Sequence, residues 1–281
     1  MQNRTHMRGA ARTLLLLALL VLGAAGRAWA VTVSPTALFI DARNPTSTLT
    51  LYNGGTVPEE VEVSFAFGYP VSDAEGTIRV ELRDSAAAGE PSVVPYLRAF
   101  PRRMVLQPGQ RQTLRVLVQA PASLPAGEHW GRVVVTGRGG QPPIEQTQGD
   151  VRMSISLETA IATTVLFRKG EVSTGAAVRA AEARTGAGGV QFTVDLERQN
   201  GGAYLGRVVA ELVAPDGTVA ATAEDAVALY RSLRRRFVLP APAGGLRPGF
   251  TVRYRVDTDR SDLPDAGHLK AAPLTGTVPV T

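Results

Sequence analysis

From residue 31 onward, apolar and polar positions alternate with a period of two. Val31 and Val33, then Leu38 and Ile40, begin the pattern. Leu49 and Leu51 continue it between Thr48, Thr50 and Tyr52. Val61, Val63, Phe65 and Phe67 predict a half-buried strand, and Ile78-Val80-Leu82 and Leu114-Val116-Val118 predict two more. Val133-Val134-Val135 is apolar at successive positions, as expected of a more fully buried strand. Turn chemistry separates these runs: Asn53-Gly54-Gly55, Asp73-Ala74-Glu75-Gly76, Gln107-Pro108-Gly109-Gln110 and Leu124-Pro125-Ala126-Gly127. About seven short strands spaced in this way predict an antiparallel β-sandwich of immunoglobulin type.

The segment Arg138–Asp150 has glycines, prolines and glutamines without an apolar pattern, and reads as a loop. From Val151 to Phe167 the alternation then runs unbroken. At about 3.3 Å per residue such a strand would span about 55 Å, far beyond the usual five or six residues. Met153, Ile155, Leu157, Thr159 and Ile161 share one face, and Ser154, Ser156, Glu158, Ala160 and Ala162 the other. Arg168-Lys169-Gly170 ends the run.

A second β-rich unit follows. Ala176–Ala183 reads as strand rather than a short helix. Val190-x-Phe192-x-Val194-x-Leu196 alternates, and Val208–Val213 and Val219–Ala223 flank the turn Pro215-Asp216-Gly217 as a hairpin. Phe250, Val252, Tyr254 and Val256 make a further strand. Leu269 to Val280 reads as an edge strand because it carries Pro273 and Pro279. The sequence thus predicts an all-β chain of two immunoglobulin-like sandwiches in tandem, over 31–169 and 170–281.

The first 30 residues are of another kind. Arg4, Arg8 and Arg12 precede the apolar run Leu14–Ala25, too short for a membrane span of roughly 20 residues. Ala28-Trp29-Ala30 fits the small-x-small cleavage pattern, so residues 1–30 read as a secretory signal peptide cut before Val31. No later stretch is apolar for long enough to span a membrane, and the expected destination is the periplasm. Of 281 residues none is cysteine, which excludes disulfides, cysteine nucleophiles and cysteine-held zinc. The formal charge of +5 comes mainly from the leader, since Arg4, Arg8, Arg12 and Arg27 face no acid there. The rest is nearly balanced, which speaks against nucleic acid as a partner.

Candidate chemistry is sparse. Only His129 and His268 follow the leader, and they fall in different units, so a histidine-based triad or metal centre would have to straddle both. Glu59-Glu60-x-Glu62 reads as a solvated strand start. Asp257, Asp259, Asp262 and Asp265 lack the glycine and the terminal glutamate of a calcium loop. Gly186-Ala187-Gly188-Gly189 opens no helix and reads as a turn, and Arg234-Arg235-Arg236 reads as a solvated face. No enzyme constellation stands out, and no cofactor or metal is called for. The long strand has two readings: its apolar face fills its own sandwich, or its edge is lent to a partner.

Several segments, in order, resemble the PapD-like periplasmic pilus chaperones. Val33-Ser34-Pro35-Thr36 and Leu49-Thr50-Leu51-Tyr52-Asn53-Gly54 are similar to that family's first two strands. Phe100-Pro101-Arg102-Arg103-Met104-Val105-Leu106-Gln107-Pro108-Gly109-Gln110 is similar to its proline-to-proline-glycine segment. Met153-x-Ile155-x-Leu157 stands where such chaperones carry the strand that binds the subunit. The resemblance covers 31–169 well and the remainder weakly. It implies two immunoglobulin-like domains set as a boomerang. It also implies a chaperone that donates its G strand to pilus subunits lacking their last strand, without ATP or metal. Met153, Ile155, Leu157 and Ile161 would then be subunit-binding. The partners would be a pilus or other secreted β-rich subunit and an outer-membrane usher. The family's two basic positions that hold a subunit's terminal carboxylate fall at Ala37 and Ala162, which cannot bind an anion. Arg168 and Lys169 are the substitutes the sequence offers, or else hinge charges. The competing reading is a structural or adhesive surface protein of the same sandwiches, binding a protein or glycan through its loops.

Overall fold

The computed structural model describes residues 31–139, 144–148, 151–155 and 158–281. The leader 1–30 and Leu157 lie outside the described residues. The strands are β1 (Val31–Ser34), β2 (Ala37–Asp41), β3 (Thr46–Asn53), β4 (Glu59–Ala66), β5 (Pro70–Ser72), β6 (Ile78–Val80), β7 (Leu97–Phe100), β8 (Arg103–Leu106), β9 (Arg111–Val118) and β10 (Gly127–Arg138). They continue as β11 (Ile144–Gln148), β12 (Val151–Ile155), β13 (Glu158–Lys169), β14 (Thr174–Gly186), β15 (Gly189–Asn200), β16 (Tyr204–Val213), β17 (Val219–Leu229), β18 (Ser232–Pro240), β19 (Thr251–Asp257) and β20 (Leu274–Pro279). Among the described residues there is no α-helix, and no helix long and apolar enough to cross a membrane.

The chain forms two immunoglobulin-like β-sandwiches. In the first, a sheet of order β1-β3-β9-β7 faces one of order β2-β13-β10-β4-β8. Their inward residues make one core: Leu49, Leu51, Leu114 and Val116 from one sheet meet Val61, Val63, Val133 and Val165 from the other. The period-two pattern is what places them there, since a slip of one residue would turn every apolar side chain outward. In the second, β14-β15-β18 faces β17-β16-β19-β20, with Phe192, Val194 and Leu196 packed against Val208, Leu212 and Val252. The Ala176–Ala183 stretch is strand, within β14, and the last strand is an edge as its prolines require. The hairpin between β14 and β15 closes at Gly186 opposite Gly189, with Gly188 at φ +83°, a conformation that favours glycine.

Three expectations need correction. Ile144–Gln148, read as part of a loop, is strand β11, paired antiparallel with β12 from Ile144 opposite Ile155 to Gln148 opposite Val151. Its own pattern is polar, and the pairing imposes the extended form. Glu59, read as solvated, is the first residue of β4 and 2% exposed. The arginine run on β18 is solvated only in part: Arg236 is exposed, while Arg234 and Arg235 are ion-paired. Arg234 makes a two-pronged pair with Asp195 (2.7 and 2.6 Å), and Arg235 pairs with Asp225.

Strand β10 is buried almost throughout, because its outer face is covered as well as its inner one. What covers it is the second sandwich. Ala37, Phe67, Trp130 and Leu166 of the first unit form a separate apolar cluster with Ala203, Leu205, Tyr230 and Leu263 of the second. The Trp130 and Tyr230 rings meet edge to face at 4.8 Å, and Tyr69 stacks on Tyr230 at 5.6 Å. The β5–β6 hairpin adds a brace. Ser72 Oγ accepts the Arg234 main-chain N–H at 2.8 Å, and Ile78 packs against the second core.

Candidate functional site: a half-paired strand and a locked junction

Strand β13 pairs with β10 along its whole length, from Glu158 opposite Arg138 to Lys169 opposite Gly127. On its other side β2 runs parallel to it, but only from Thr164 to Arg168. Among the described residues, Glu158–Thr163 therefore has one neighbour and one open edge. The direction of the open hydrogen-bonding groups follows from the ladder. Thr164 N–H donates to Thr36 and the Arg168 carbonyl accepts from Ala42, so even-numbered residues face β2. Alternation then points the N–H and C=O groups of Glu158, Ala160 and Ala162 at the open edge. Natural proteins blunt such edges with lysine, proline or a covering element. This one carries small alanines and a single glutamate, which an arriving strand can approach.

Side chains on the strand change environment along its length. Val165 and Phe167 are core residues, 0% and 2% exposed. Ile161 lies on the same face but is half-buried and stands outside that core. The apolar row thus extends past the fully buried part of the core, to Ile161 opposite Val135. Of the other residues expected to bind a subunit, Met153 and Ile155 lie on β12, opposite Gln146 and Ile144. Leu157 is outside the described residues.

Arg168 and Lys169, the candidate carboxylate anchor, sit at the domain junction and are already engaged. Glu128 has a fully buried side chain. Its Oε2 accepts Arg168 Nε at 2.7 Å, and its Oε1 accepts Trp130 Nε1 at 3.1 Å and the Ala203 main-chain N–H at 2.7 Å. Arg168 also donates to the Gly267 carbonyl of the second unit and lies over the Phe39 ring at 5.4 Å. Lys169 Nζ donates to the carbonyls of Ala122 and Leu124. The carboxylate that Arg168 meets is the protein's own. Of the two sequence readings, these contacts support hinge charges.

Ala37 is buried and faces Thr164 across the parallel ladder; Ala162 faces Val134. Beside Thr164 on the neighbouring strand β10 stands Arg132, 7% exposed. Its Nε donates to the Gly68 carbonyl at 2.9 Å, another nitrogen reaches Thr164 Oγ1, and the guanidinium lies 5.9 Å from the Tyr230 ring centroid. Sequence reasoning missed Glu128, Arg132 and Trp130. The available signal was polar residues spaced by two on a strand that continues into Val133-Val134-Val135.

Both histidines are bonded to main chain. His129 Nε2 lies 3.0 Å from the Pro125 carbonyl. His268 Nε2 lies 2.8 Å from the Leu205 carbonyl, its Nδ1 is 3.2 Å from Lys270 Nζ, and its ring stacks on Phe39. Burial holds the His268 pKa below the usual value, with Lys270, Arg260 and Arg168 pushing the same way. Asp257, Asp259 and Asp262 are paired with Arg207, Arg255 and Arg260. Among the described residues no cluster of His, Asp and Glu is arranged to hold a metal ion.

No family model matches this sequence, and no curated protein matches it. Solved structures do match. One is a chain of the Salmonella enterica SafA pilin–SafB chaperone complex, at 15% identity over 90% of this chain and 99% of that one, with a TM-score of 0.44. Another is the Pseudomonas aeruginosa CupB2 chaperone, at 14% identity over 88% and 98%, with a TM-score of 0.40. A third is a chain of the CsuC–CsuE chaperone–tip subunit complex of Acinetobacter baumannii, at 12% identity over 89% and 98%, with a TM-score of 0.40. The chain is similar to pilus chaperones. The superposition is loose, so the chemistry must be read from the edge of β13 itself.

Proposed function

We propose that the chain is a non-enzymatic periplasmic chaperone that binds a secreted pilus subunit, or a related β-rich surface subunit, by lending it the edge of β13. The observation that carries this reading is the open edge of Glu158–Thr163. It presents main-chain donors and acceptors, with Ile161 half-buried beside it. A sandwich lacking one strand has the complementary need: an unpaired edge and an apolar groove. Main-chain bonds would supply the register, and Ile161, with Met153, Ile155 and Leu157 further along, would fill the groove. Each such side chain, when fully buried, contributes about 1.5–3 kcal/mol. Ordering of the strand offsets part of that. The junction supports the role by tying the second sandwich to β10 and β13 through Glu128, Arg168 and the Trp130–Tyr230 cluster. An outer-membrane usher would receive the complex.

The test is site-specific photocrosslinking in the periplasm of the native host. A photoreactive residue at Ile161 is expected to capture one secreted β-rich chain. The same group at Val238, exposed on β18, is expected to capture nothing in common with it. Equal capture at both places, or none at Ile161, would remove the proposal.

A further inference from the structure

Glu59 has no role in the edge or the junction, yet it is 2% exposed, on the core face of β4. Its place is built. Across the sheet, Gly137 leaves the room that the carboxyl group occupies, since a Cβ there would lie 1.9 Å from Glu59 Oε1. One oxygen, Oε2, is buried with no hydrogen-bond partner. Among the described residues no lysine, arginine or histidine pairs with it. The donor beside it is the main-chain N–H of Val31, the first residue of β1. A buried carboxylate with one neutral donor is costly, and burial pushes the Glu59 pKa up. Val31 itself is 3% exposed and packed in the first core, so the nitrogen is fixed beside the carboxyl group.

That nitrogen is the one that leader cleavage would free. Hydrolysis of the Ala30–Val31 bond adds one water, leaving a carboxylate on Ala30 and an amine on Val31 that takes up a proton. We infer that Glu59 is a receptor for the chain's own new N-terminus, and that cleavage converts its single neutral hydrogen bond into a buried ion pair with the Val31 ammonium. The ammonium has three donors where the peptide had one, enough to reach the orphaned Oε2 as well. The pair would pin β1, and with it the end of the sandwich where Gly137 faces Thr159 at the start of the open edge. Processing would thereby tighten the fold after export.

This inference rests on cleavage before Val31, and the two can fail separately. The mass of the exported chain tests the cleavage alone. The ion pair is tested on a chain made to begin at Val31, in a cycle of four: free or acetylated α-amino group, with Glu59 or Glu59→Gln. With Glu59 present, acetylation is expected to lower the folded-to-unfolded ratio by roughly tenfold or more, as for a buried pair broken from one side. With Glu59→Gln the same acetylation should change little, so the losses are not additive. The free α-amino group should also react slowly with an amine reagent in the folded protein and faster in Glu59→Gln. Additive losses, or equal labelling rates, would overturn the inference, and the labelling result holds even if an acetylated chain fails to fold.

Discussion

Changing Arg168 to methionine tests whether the junction is held by charge. The substitution keeps an apolar stem over Phe39 and removes the guanidinium. Glu128 then loses the guanidinium it pairs with while its side chain stays fully buried; the Arg168 side chain itself is 12% exposed. Breaking a buried pair from one side costs about 3–5 kcal/mol. Trp130 Nε1 and the Ala203 N–H remain on Glu128 Oε1, so the lower figure, about 3 kcal/mol, is expected. That is about a hundredfold in the folded-to-unfolded ratio. Adding Glu128→Gln should recover most of the loss, because an amide oxygen can keep both remaining donors without burying a charge. The double variant is expected within about 1 kcal/mol of the parent. The assay is urea unfolding followed by tryptophan emission. In a chain starting at Val31, Trp130 is the sole tryptophan and lies in the junction cluster. Arg168→Met should lower the midpoint and red-shift the folded emission. A stability within about 0.5 kcal/mol of the parent's, about the error of such a measurement, would refute the electrostatic account of the junction.

Stability should also fall with acid in a defined window. The folded His268 ring holds its proton less tightly than a free imidazole, whose pKa is about 6.5. Its contribution is therefore complete above about 6.5 and is lost as the pH falls toward the folded value, below which it changes no further. Melting curves from pH 8 to 5 should show the loss, and His268→Gln should flatten that part; an unchanged slope would contradict it. Gly267→Ala should destabilise by about 1–3 kcal/mol, because Gly267 sits at φ +83° and a Cβ would lie 2.5 Å from Phe39 Cβ. Calorimetry would detect that, and a neutral result would mean the Gly267 turn is free to shift. Phe192→Ala in the second core should cost about 3–5 kcal/mol by chemical denaturation, and a loss under about 1 kcal/mol would contradict its packing against Phe237 and Tyr254.

Strands whose own side chains decide their fate were legible in the sequence. β4, β9 and β15 alternate because each lays one face on a core, and that pattern needs no knowledge of neighbours. β11 was not legible, because Ile144-Glu145-Gln146-Thr147-Gln148 has no apolar face and is extended through its pairing with β12. Glu59 reads as surface from its acidic neighbours. It is buried because Gly137, 78 positions away in the chain, lacks a side chain. Arg168 was visible as a charge at the break between units, but its partner Glu128 is 40 residues away, on the strand alongside. What local pattern misses in each case is the identity of the group across the sheet.

The most direct test of strand donation is Ala160→Pro. The Ala160 N–H points at the open edge, so a proline there removes a donor from the arriving strand but none from the ladder with β10. Binding of the subunit captured by the parent chain would be measured beside the melting curve. Strand donation predicts a melting temperature close to the parent's and an affinity loss of tenfold or more, from a missing main-chain bond and a ring in the partner's path. Unchanged affinity in a folded Ala160→Pro protein would contradict it.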